Sequence, residues 1–285
     1  MKANIDEFFT KKLKRIVTVA NNKGGVGKSF IAANSAEYEA FVLNHKVLII
    51  TFDPQCNIDD RYIDMVLNKE TDSYEPPIHP DFDPAIDPGD GKYDITSIFY
   101  DDEPVVFPYP TIIPNIDIIP AHSKKLTNVE QIEAKDVYEG IYQRLYNLVT
   151  SGNIQDTYDS IYIDTGPSRG PLTMAALRVA THVIIPSLCN DKNIQGTYIM
   201  HRLWMRESRR ASRDYPLHLA GIVANMFDPT TTLHNSIYDD LKLHPDTGKY
   251  VLDSRYHQRI IYQEIDNINS PVRSMFKMTT KANKA

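Results

Sequence analysis

A glycine-rich run near the N-terminus constrains the fold of this chain more than any other feature. It reads Lys-Gly-Gly-Val-Gly-Lys-Ser at 23–29, between an apolar, β-branched stretch at 16–20 and a helical pattern at 29–43. Glycines let a loop turn its backbone N–H groups toward an anion. A lysine and a hydroxyl at the end of that loop suit nucleotide phosphates and Mg²⁺. The run therefore predicts a phosphate-binding loop between a strand and a helix.

Further apolar runs repeat the strand pattern along the chain. They lie at 47–50, 116–119, 160–163, 182–185 and 221–224, and helical stretches at 128–150, 171–180 and 194–214 separate several of them. Short, continuous apolar runs are typical of buried parallel strands, and their alternation with helices favours a layered α/β fold. We therefore expect a single, doubly wound, mostly parallel sheet with helices on both faces.

Two aspartates end predicted strands. Asp53 follows the strand at 47–52 and begins Asp-Pro-Gln-Cys-Asn, and Asp164 follows the strand at 161–163 and begins Asp-Thr-Gly-Pro-Ser. The carboxyl ends of parallel strands meet at one edge of a sheet, so both acids are expected beside the loop. A single aspartate after a strand is most often a turn former or a helix cap. Two of them beside a phosphate loop favour binding of Mg²⁺ and activation of water.

Composition excludes several classes of protein. The net charge is −6, so any affinity for nucleic acid would need a local basic patch. Cys56 and Cys189 lie far apart, which fits a reducing cytoplasm and excludes a disulfide scaffold or a zinc ribbon. No apolar run is long enough to span a membrane, and residues 1–15 lack the apolar stretch of a signal peptide. We expect a cytoplasmic protein.

The 285 residues are expected to form one domain with three additions. Residues 1–14 indicate an N-terminal helical leader, and residues 250–285 a basic, helical C-terminal segment. Residues 68–92 are rich in proline and aspartate, a composition that favours a surface insertion without core strands or helices. The sequence leaves open whether this insertion binds a partner or is only a solvated loop.

Together these motifs resemble the ParA/MinD family of deviant Walker A ATPases, and most of all its ParA-type partition branch. The loop and the two aspartate motifs occur in the family's order, and Asn-Met-Phe-Asp-Pro follows from Asn225. The resemblance implies a P-loop ATPase that binds ATP or ADP with Mg²⁺, forms a homodimer when ATP is bound and hydrolyses ATP slowly on its own.

The resemblance also implies a role for each residue of the site. Lys28 would hold the β- and γ-phosphates, Asp53 would activate the attacking water, and Lys23 would reach across a dimer to the partner's nucleotide. ATP would then join two subunits and its hydrolysis would separate them. The expected metal site consists of Ser29, Asp53 and Asp164. The expected nucleotide-binding residues are Lys23, Gly24, Gly25, Val26, Gly27, Lys28, Ser29, Phe30 and, against adenine, Asn225.

The sequence departs from the family pattern at three positions near the loop. Thr51 stands where an aspartate is usual, Phe30 where threonine is common, and Gly166 where a second proline is common. The threonine puts a detail of metal or water handling in doubt.

Nonspecific DNA binding and a ParB-like or other cargo adaptor are further implications of the resemblance, with the ATP-bound protein on the nucleoid. The expected DNA contacts are near the C-terminus: Arg255, Arg259, Arg273 and Lys277. Arginines at helical spacing along 194–214 form a second basic candidate, which a solvated, ion-paired helix face explains equally well. These arginines are Arg202, Arg206, Arg209 and Arg213.

Three other classes share parts of this pattern. A MinD-like membrane-associated ATPase needs an amphipathic C-terminal helix, and residues 274–285 offer only three bulky apolar residues, so no stable membrane association is expected. A reductase of the nitrogenase-iron-protein type needs cluster-binding cysteines that Cys56 and Cys189 do not supply. A P-loop ligase or kinase for a small substrate seldom carries a lysine in the position of Lys23. The sequence does not distinguish the cargo.

Overall fold

The computed structural model describes residues 14–87, 89–133, 137–258, 274 and 276. Its strands are β1 Arg15–Val19, β2 Val47–Phe52, β3 Val66–Asn68, β4 Ser73–Glu75, β5 Tyr109–Pro110, β6 Ile116–Ile119, β7 Ser160–Thr165, β8 His182–Leu188 and β9 His218–Asn225. Its helices are α1 Lys28–Val42, α2 Asn57–Tyr62, α3 Ser97–Tyr100, α4 Ser123–Glu130, α5 Val137–Thr150, α6 Gly152–Thr157, α7 Pro171–Val179, α8 Asp191–Ser208 and α9 Thr232–Leu243.

Seven of these strands form one sheet in the order β5-β6-β2-β7-β1-β8-β9. The short edge strand β5 is antiparallel to β6, and the other neighbouring pairs are parallel. Every residue of β2 and β7 is buried, as expected for strands with both faces covered by helices. The expected α/β fold is confirmed.

The register of the central strands brings the predicted site together. Asp164 lies beside Val19 on one side and beside Thr51 on the other. The chain leaves β1 at Val19 to form the glycine-rich loop and leaves β2 at Phe52 to reach Asp53. The loop and both aspartates therefore lie at the same edge of the sheet.

Two helices differ from their predicted bounds. The stretch at 128–150 is divided between α4, which ends at Glu130, and α5, which begins at Val137. The helix predicted at 194–214 is α8, which begins at Asp191 and ends at Ser208. Beyond that end, Arg213 donates hydrogen bonds to the carbonyl oxygens of Leu177 and Ala180 at the end of α7. The predicted stripe of four arginines on one helix is therefore wrong.

The segment at 68–92 carries more structure than its composition indicates. β3 and β4 form an antiparallel hairpin. Glu75 in this hairpin accepts hydrogen bonds from Asn68 at 2.7 Å and Lys92 at 2.9 Å. His79 is buried and packs edge-on against Tyr109, 4.6 Å between ring centroids. Side-chain contacts within the insertion, and the contact of His79 with Tyr109 outside it, stabilise this segment.

Two predicted additions fall mostly outside the described residues. Residues 1–13 of the leader lie there, as does most of the C-terminal segment after residue 258. Within the part of the chain that the structure describes, no helix combines the length and the apolar character needed to cross a membrane.

Candidate nucleotide-binding site

The loop between β1 and α1 takes a path that only glycine adopts readily. Gly25 and Gly27 have φ angles of 70° and 86°, in the left-handed region. A Cβ atom on Gly27 would also overlap the side-chain amide of Asn225. These two glycines allow the turn that the sequence predicted for a phosphate loop.

Asn225 lies beneath this loop. Its side-chain amide donates a hydrogen bond to the carbonyl oxygen of Val26 at 2.9 Å, and 2% of the residue is exposed. The sequence-based prediction places Asn225 against adenine, and its neighbour Met226 lines the cleft. Asn225 thus supports the loop from behind.

Lys28 is the first residue of α1 and is buried. Its Nζ donates to the carbonyl oxygen of Lys23 at 3.1 Å. Burial lowers the pKa of Lys28, while the charges of Asp164 and Asp53 oppose that change. Lys28 therefore lies close enough to two acids, Asp164 and Asp53, for their charges to act on it at the base of the loop.

Asp164 is fully buried at the end of β7. Burial raises the pKa of its carboxyl group to about 7, although the nearby hydroxyl of Ser29 and the charge of Lys28 lower it. Neither carboxylate oxygen accepts a well-formed hydrogen bond from the residues that the structure describes. A buried acid without such a partner fits a cation, so Asp164 and Ser29 suit the Mg²⁺ that accompanies a nucleotide.

Asp53 is buried and also lines the site. Its Oδ1 accepts a hydrogen bond from the backbone N–H of Gln55 at 3.0 Å, which fixes the turn after β2. A Cβ atom on Gly166 would lie 3.4 Å from that same oxygen. The glycine in place of the family's second proline therefore packs closely against Asp53.

A cleft of about 650 Å³ opens above these groups. Six residues of the loop and the start of α1 line it, together with Asp53: Gly24, Gly25, Gly27, Lys28, Ser29 and Phe30. Sequence reasoning missed Asn57, Asp60 and Arg61 on α2, which also line the cleft. These three residues follow Asp53 closely in the sequence, and that proximity could have indicated that they lie at the cleft.

Lys23 does not line this cleft. Its backbone N–H donates to Asn21 Oδ1 at 3.1 Å, and the Asn21 amide donates to the carbonyl oxygen of Pro186 at 2.7 Å. Its side chain lies against Gly196 of α8. The backbone of Lys23 thus contacts Lys28, whereas its side chain packs beside α8 and is not among the groups that line the cleft.

Thr51, the departure from the family's aspartate, contacts a buried acid that the sequence did not reveal. Its hydroxyl donates a hydrogen bond to the carboxylate of Asp59 on α2, and the backbone N–H of Ala121 donates to the same carboxylate at 3.2 Å. Burial raises the pKa of Asp59 well above its usual range. This position therefore joins β2 to α2 through a hydrogen bond.

Of the four predicted DNA contacts, only Arg255 lies within the part of the chain that the structure describes. Arg255 lies over the rings of Phe227 and Tyr238, with its guanidinium carbon 4.7 Å from each centroid. Arg259, Arg273 and Lys277 lie outside the described residues.

A second basic surface lies between α7 and α8, where five arginines line a groove of about 780 Å³. We call this the arginine groove, and its arginines are Arg169, Arg178, Arg202, Arg206 and Arg210. Glu139 pairs with Arg178 at 2.9 Å, and Glu207 pairs with Arg206 at 3.2 Å. Among the described residues, Arg169 and Arg202 form no ion pair, so the groove keeps an excess of positive charge.

Comparisons with known proteins show the family of this chain. The model of the AAA_31 family, described as an AAA domain, matches residues 14–210. The chromosome partitioning protein ParA of Caulobacter vibrioides is 27% identical over 264 residues, which cover 90% of this chain and 86% of that protein. These likenesses confirm the resemblance to ParA-type partition ATPases.

Solved structures share the fold. The AMPPNP-bound plasmid partition protein of Borrelia burgdorferi superposes with a TM-score of 0.64 at 21% identity, covering 90% of each chain. Cobyrinic acid a,c-diamide synthase of Mycobacterium smegmatis, with ADP and magnesium, superposes with a TM-score of 0.63 at 22% identity. That superposition covers 89% of this chain and 92% of the synthase.

Proposed function

The chain belongs to the AAA_31 family of AAA domains, and we propose that it is an ATPase that dimerises on binding ATP and binds DNA without sequence preference as a dimer. Hydrolysis of ATP to ADP and phosphate, stimulated by a ParB-like adaptor, returns it to the monomer. In this way it partitions plasmid or chromosomal DNA, or positions another cargo. The observation that carries the proposal is the meeting of Lys28, Asp53 and Asp164 at one edge of the sheet.

The residues at the cleft suit ATP and Mg²⁺. Lys28 and the N–H groups of the loop would hold the phosphates, and Ser29, Asp53 and Asp164 would hold the metal, directly or through water. When bound, Mg²⁺ neutralises phosphate charge. Asp53 would orient the attacking water and accept its proton. The relative from Caulobacter and the nucleotide in the Borrelia structure support this assignment.

Lys23 supplies the link between ATP and dimerisation. Its side chain packs beside α8 and does not line the cleft of its own chain, and we infer that its ammonium group reaches the nucleotide of a second subunit. Two subunits that face each other across their nucleotides would give each Lys23 a phosphate partner. ATP then stabilises the dimer, and loss of the γ-phosphate weakens it.

The test is a comparison of three substitutions in nucleotide binding and turnover. We expect Lys28→Ala to weaken binding of Mg·ATP about 10²-fold, because it removes a charged phosphate contact. Asp53→Ala should still bind ATP but lose turnover by about 10²-fold or more. Lys69→Ala, at an exposed position in the insertion, is the control and should match the wild type. Unchanged ATP affinity in Lys28→Ala would refute the assignment of the loop.

Two alternatives give different results in the same assays. A small-substrate ligase or kinase, the class to which the synthase neighbour points by fold alone, would need its substrate for turnover and would ignore DNA. A MinD-like protein would sediment with anionic vesicles in the presence of ATP. ATP turnover in the absence of both a small substrate and vesicles, together with ATP-dependent binding of DNA, supports the partition role.

A further inference from the structure

Helix α8 packs closely against side chains of the segment that carries Lys23. Gly196 is buried in this helix. A Cβ atom there would overlap the Cγ atom of Lys23 and would lie 2.7 Å from Asn22 Oδ1 and 2.9 Å from Asn21 Oδ1. Glycine in a helix interior costs roughly 1 kcal/mol relative to alanine. Here the absence of a side chain makes room for the segment that carries Lys23.

The same helix carries the arginine groove at its other end. Arg202 and Arg206 follow Gly196 by six and ten residues, which places them about 9 and 15 Å farther along the helix axis. α8 is continuous from Asp191 to Ser208. Its first turn is capped by Asn190, whose side chain accepts a hydrogen bond from the backbone N–H of Asn193. The loop and the groove are thus joined by one unbroken element.

Packing holds α8 as a rigid body against the sheet. Thr197 donates a hydrogen bond to Ser187 of β8 at 2.7 Å, and both side chains are buried. Met200 and Trp204 belong to the apolar core on this side of the sheet. A shift at the Gly196 end is therefore transmitted along the helix, because a packed helix moves as a unit.

We propose that α8 couples the position of Lys23 to the arginine groove, and that Gly196 is the positioning residue of this coupling. Movement of Lys23 onto a second subunit's nucleotide changes the contact with Gly196, and α8 carries that change to Arg202 and Arg206. The inference rests on the proposed function, because it gives Lys23 the role of reaching across the dimer. It adds a physical route from ATP to DNA binding.

The experiment compares Gly196→Ala with Gly140→Ala. Gly140 is also helical, but a Cβ atom there would meet nothing within 4 Å. Three quantities are measured for each protein: ADP affinity, dimerisation with Mg·ATPγS, and binding of a 24-base-pair duplex of arbitrary sequence. We expect Gly196→Ala to keep its ADP affinity while dimerisation and DNA binding each weaken about tenfold. Gly140→Ala should match the wild type in all three.

Two outcomes would overturn the inference. Wild-type dimerisation and DNA binding in Gly196→Ala would show that the contact with Lys23 carries no coupling. Loss of ADP binding would show that Gly196 serves the whole loop, because a merely structural role affects both nucleotides. If the wild type itself neither dimerises nor binds DNA with ATPγS, the proposed function fails instead.

A second measurement leaves the core unchanged in case Gly196→Ala does not fold. A fluorophore is attached to Arg202→Cys in the arginine groove. Labelling is selective because Cys56 and Cys189 are buried, and burial raises the pKa of both thiols. We expect ATPγS to change the emission, and the change to vanish when Lys23→Ala is added. Emission that stays constant while the labelled protein dimerises would overturn the coupling.

Discussion

Glu39 is a buried carboxylate on α1 that joins the helix to both β1 and β7. Ser160 and Tyr162 donate hydrogen bonds to it at 2.7 Å each, and Arg15 donates another at 2.7 Å. Burial raises its pKa, but hydrogen bonds from Ser160, His45 and Tyr162 and the charge of Arg15 outweigh burial, so the pKa lies below its usual value. The ionised form therefore stabilises the fold.

This shift has a definite consequence for stability against pH. Because the folded-state pKa of Glu39 is below the unfolded value, its contribution is present above about pH 4.5 and is lost as pH falls through the folded-state pKa. We expect Glu39→Gln to lower the free energy of unfolding at pH 7 by about 2 kcal/mol and to flatten its loss on acidification. Urea unfolding from pH 3 to 7 measures both. The exposed Glu70→Gln is the control, and an equal change there would contradict the prediction.

The residues of the site that the sequence predicted are those that belong to a short sequence motif. Lys28, Ser29 and Asp53 were expected in the cleft from their places in the loop and after a strand, and they line it. Asp59 and Gly196 could not be found this way. Asp59 belongs to no motif, and its hydrogen bond with Thr51 forms only because α2 packs against β2. Gly196 is far from Lys23 in the sequence, and the two meet only because α8 packs beside the glycine-rich loop.

Strands are the elements that the sequence predicted best. β1, β2 and β7 each contain a short, β-branched apolar run, and such runs are typical of strands buried on both faces. The hairpin β3–β4 was missed because each strand has three residues and its stabilising contacts, such as Glu75 with Lys92, come from side chains beyond it. The end of α8 was also misplaced, because arginine spacing does not reveal that Arg213 caps α7.

The arginine groove is the described surface at which we propose that DNA binds. Each arginine that contacts a phosphate releases counterions on binding, so its removal lowers the salt dependence of binding. We expect Arg202→Ala to weaken binding of the ATPγS dimer to duplexes of any sequence, and to lower the slope of log K against log salt by about 0.9. Binding is measured at four salt concentrations.

Arg209→Ala is the matched control for this surface, because Arg209 lines a different cavity beside Trp204 and Lys249. It should keep the wild-type slope. A slope that is unchanged in Arg202→Ala would move the DNA contact away from the groove. Loss of slope in Arg209→Ala alone would place that contact at the other face of α8.

The whole molecule is expected to alternate between two states that ATP and its hydrolysis control. As a monomer it keeps Lys28 with Asp53 and Asp164 at the cleft, and Lys23 against α8. As a dimer it would place each Lys23 at the partner's nucleotide. The parallel order of β2, β7 and β1 makes this possible, because it brings the loop and both aspartates to one edge of the sheet.

The mass of the protein in solution shows whether ATP joins two subunits through Lys23. Sedimentation equilibrium is measured with Mg·ADP and with Mg·ATPγS, for the wild type and for Lys23→Ala. We expect a monomer of 32.5 kDa with ADP and twice that mass with ATPγS for the wild type. Lys23→Ala should bind ATPγS and stay a monomer. A wild type that remains a monomer at saturating ATPγS, or a Lys23→Ala variant that dimerises normally, would show that ATP does not join the subunits through Lys23.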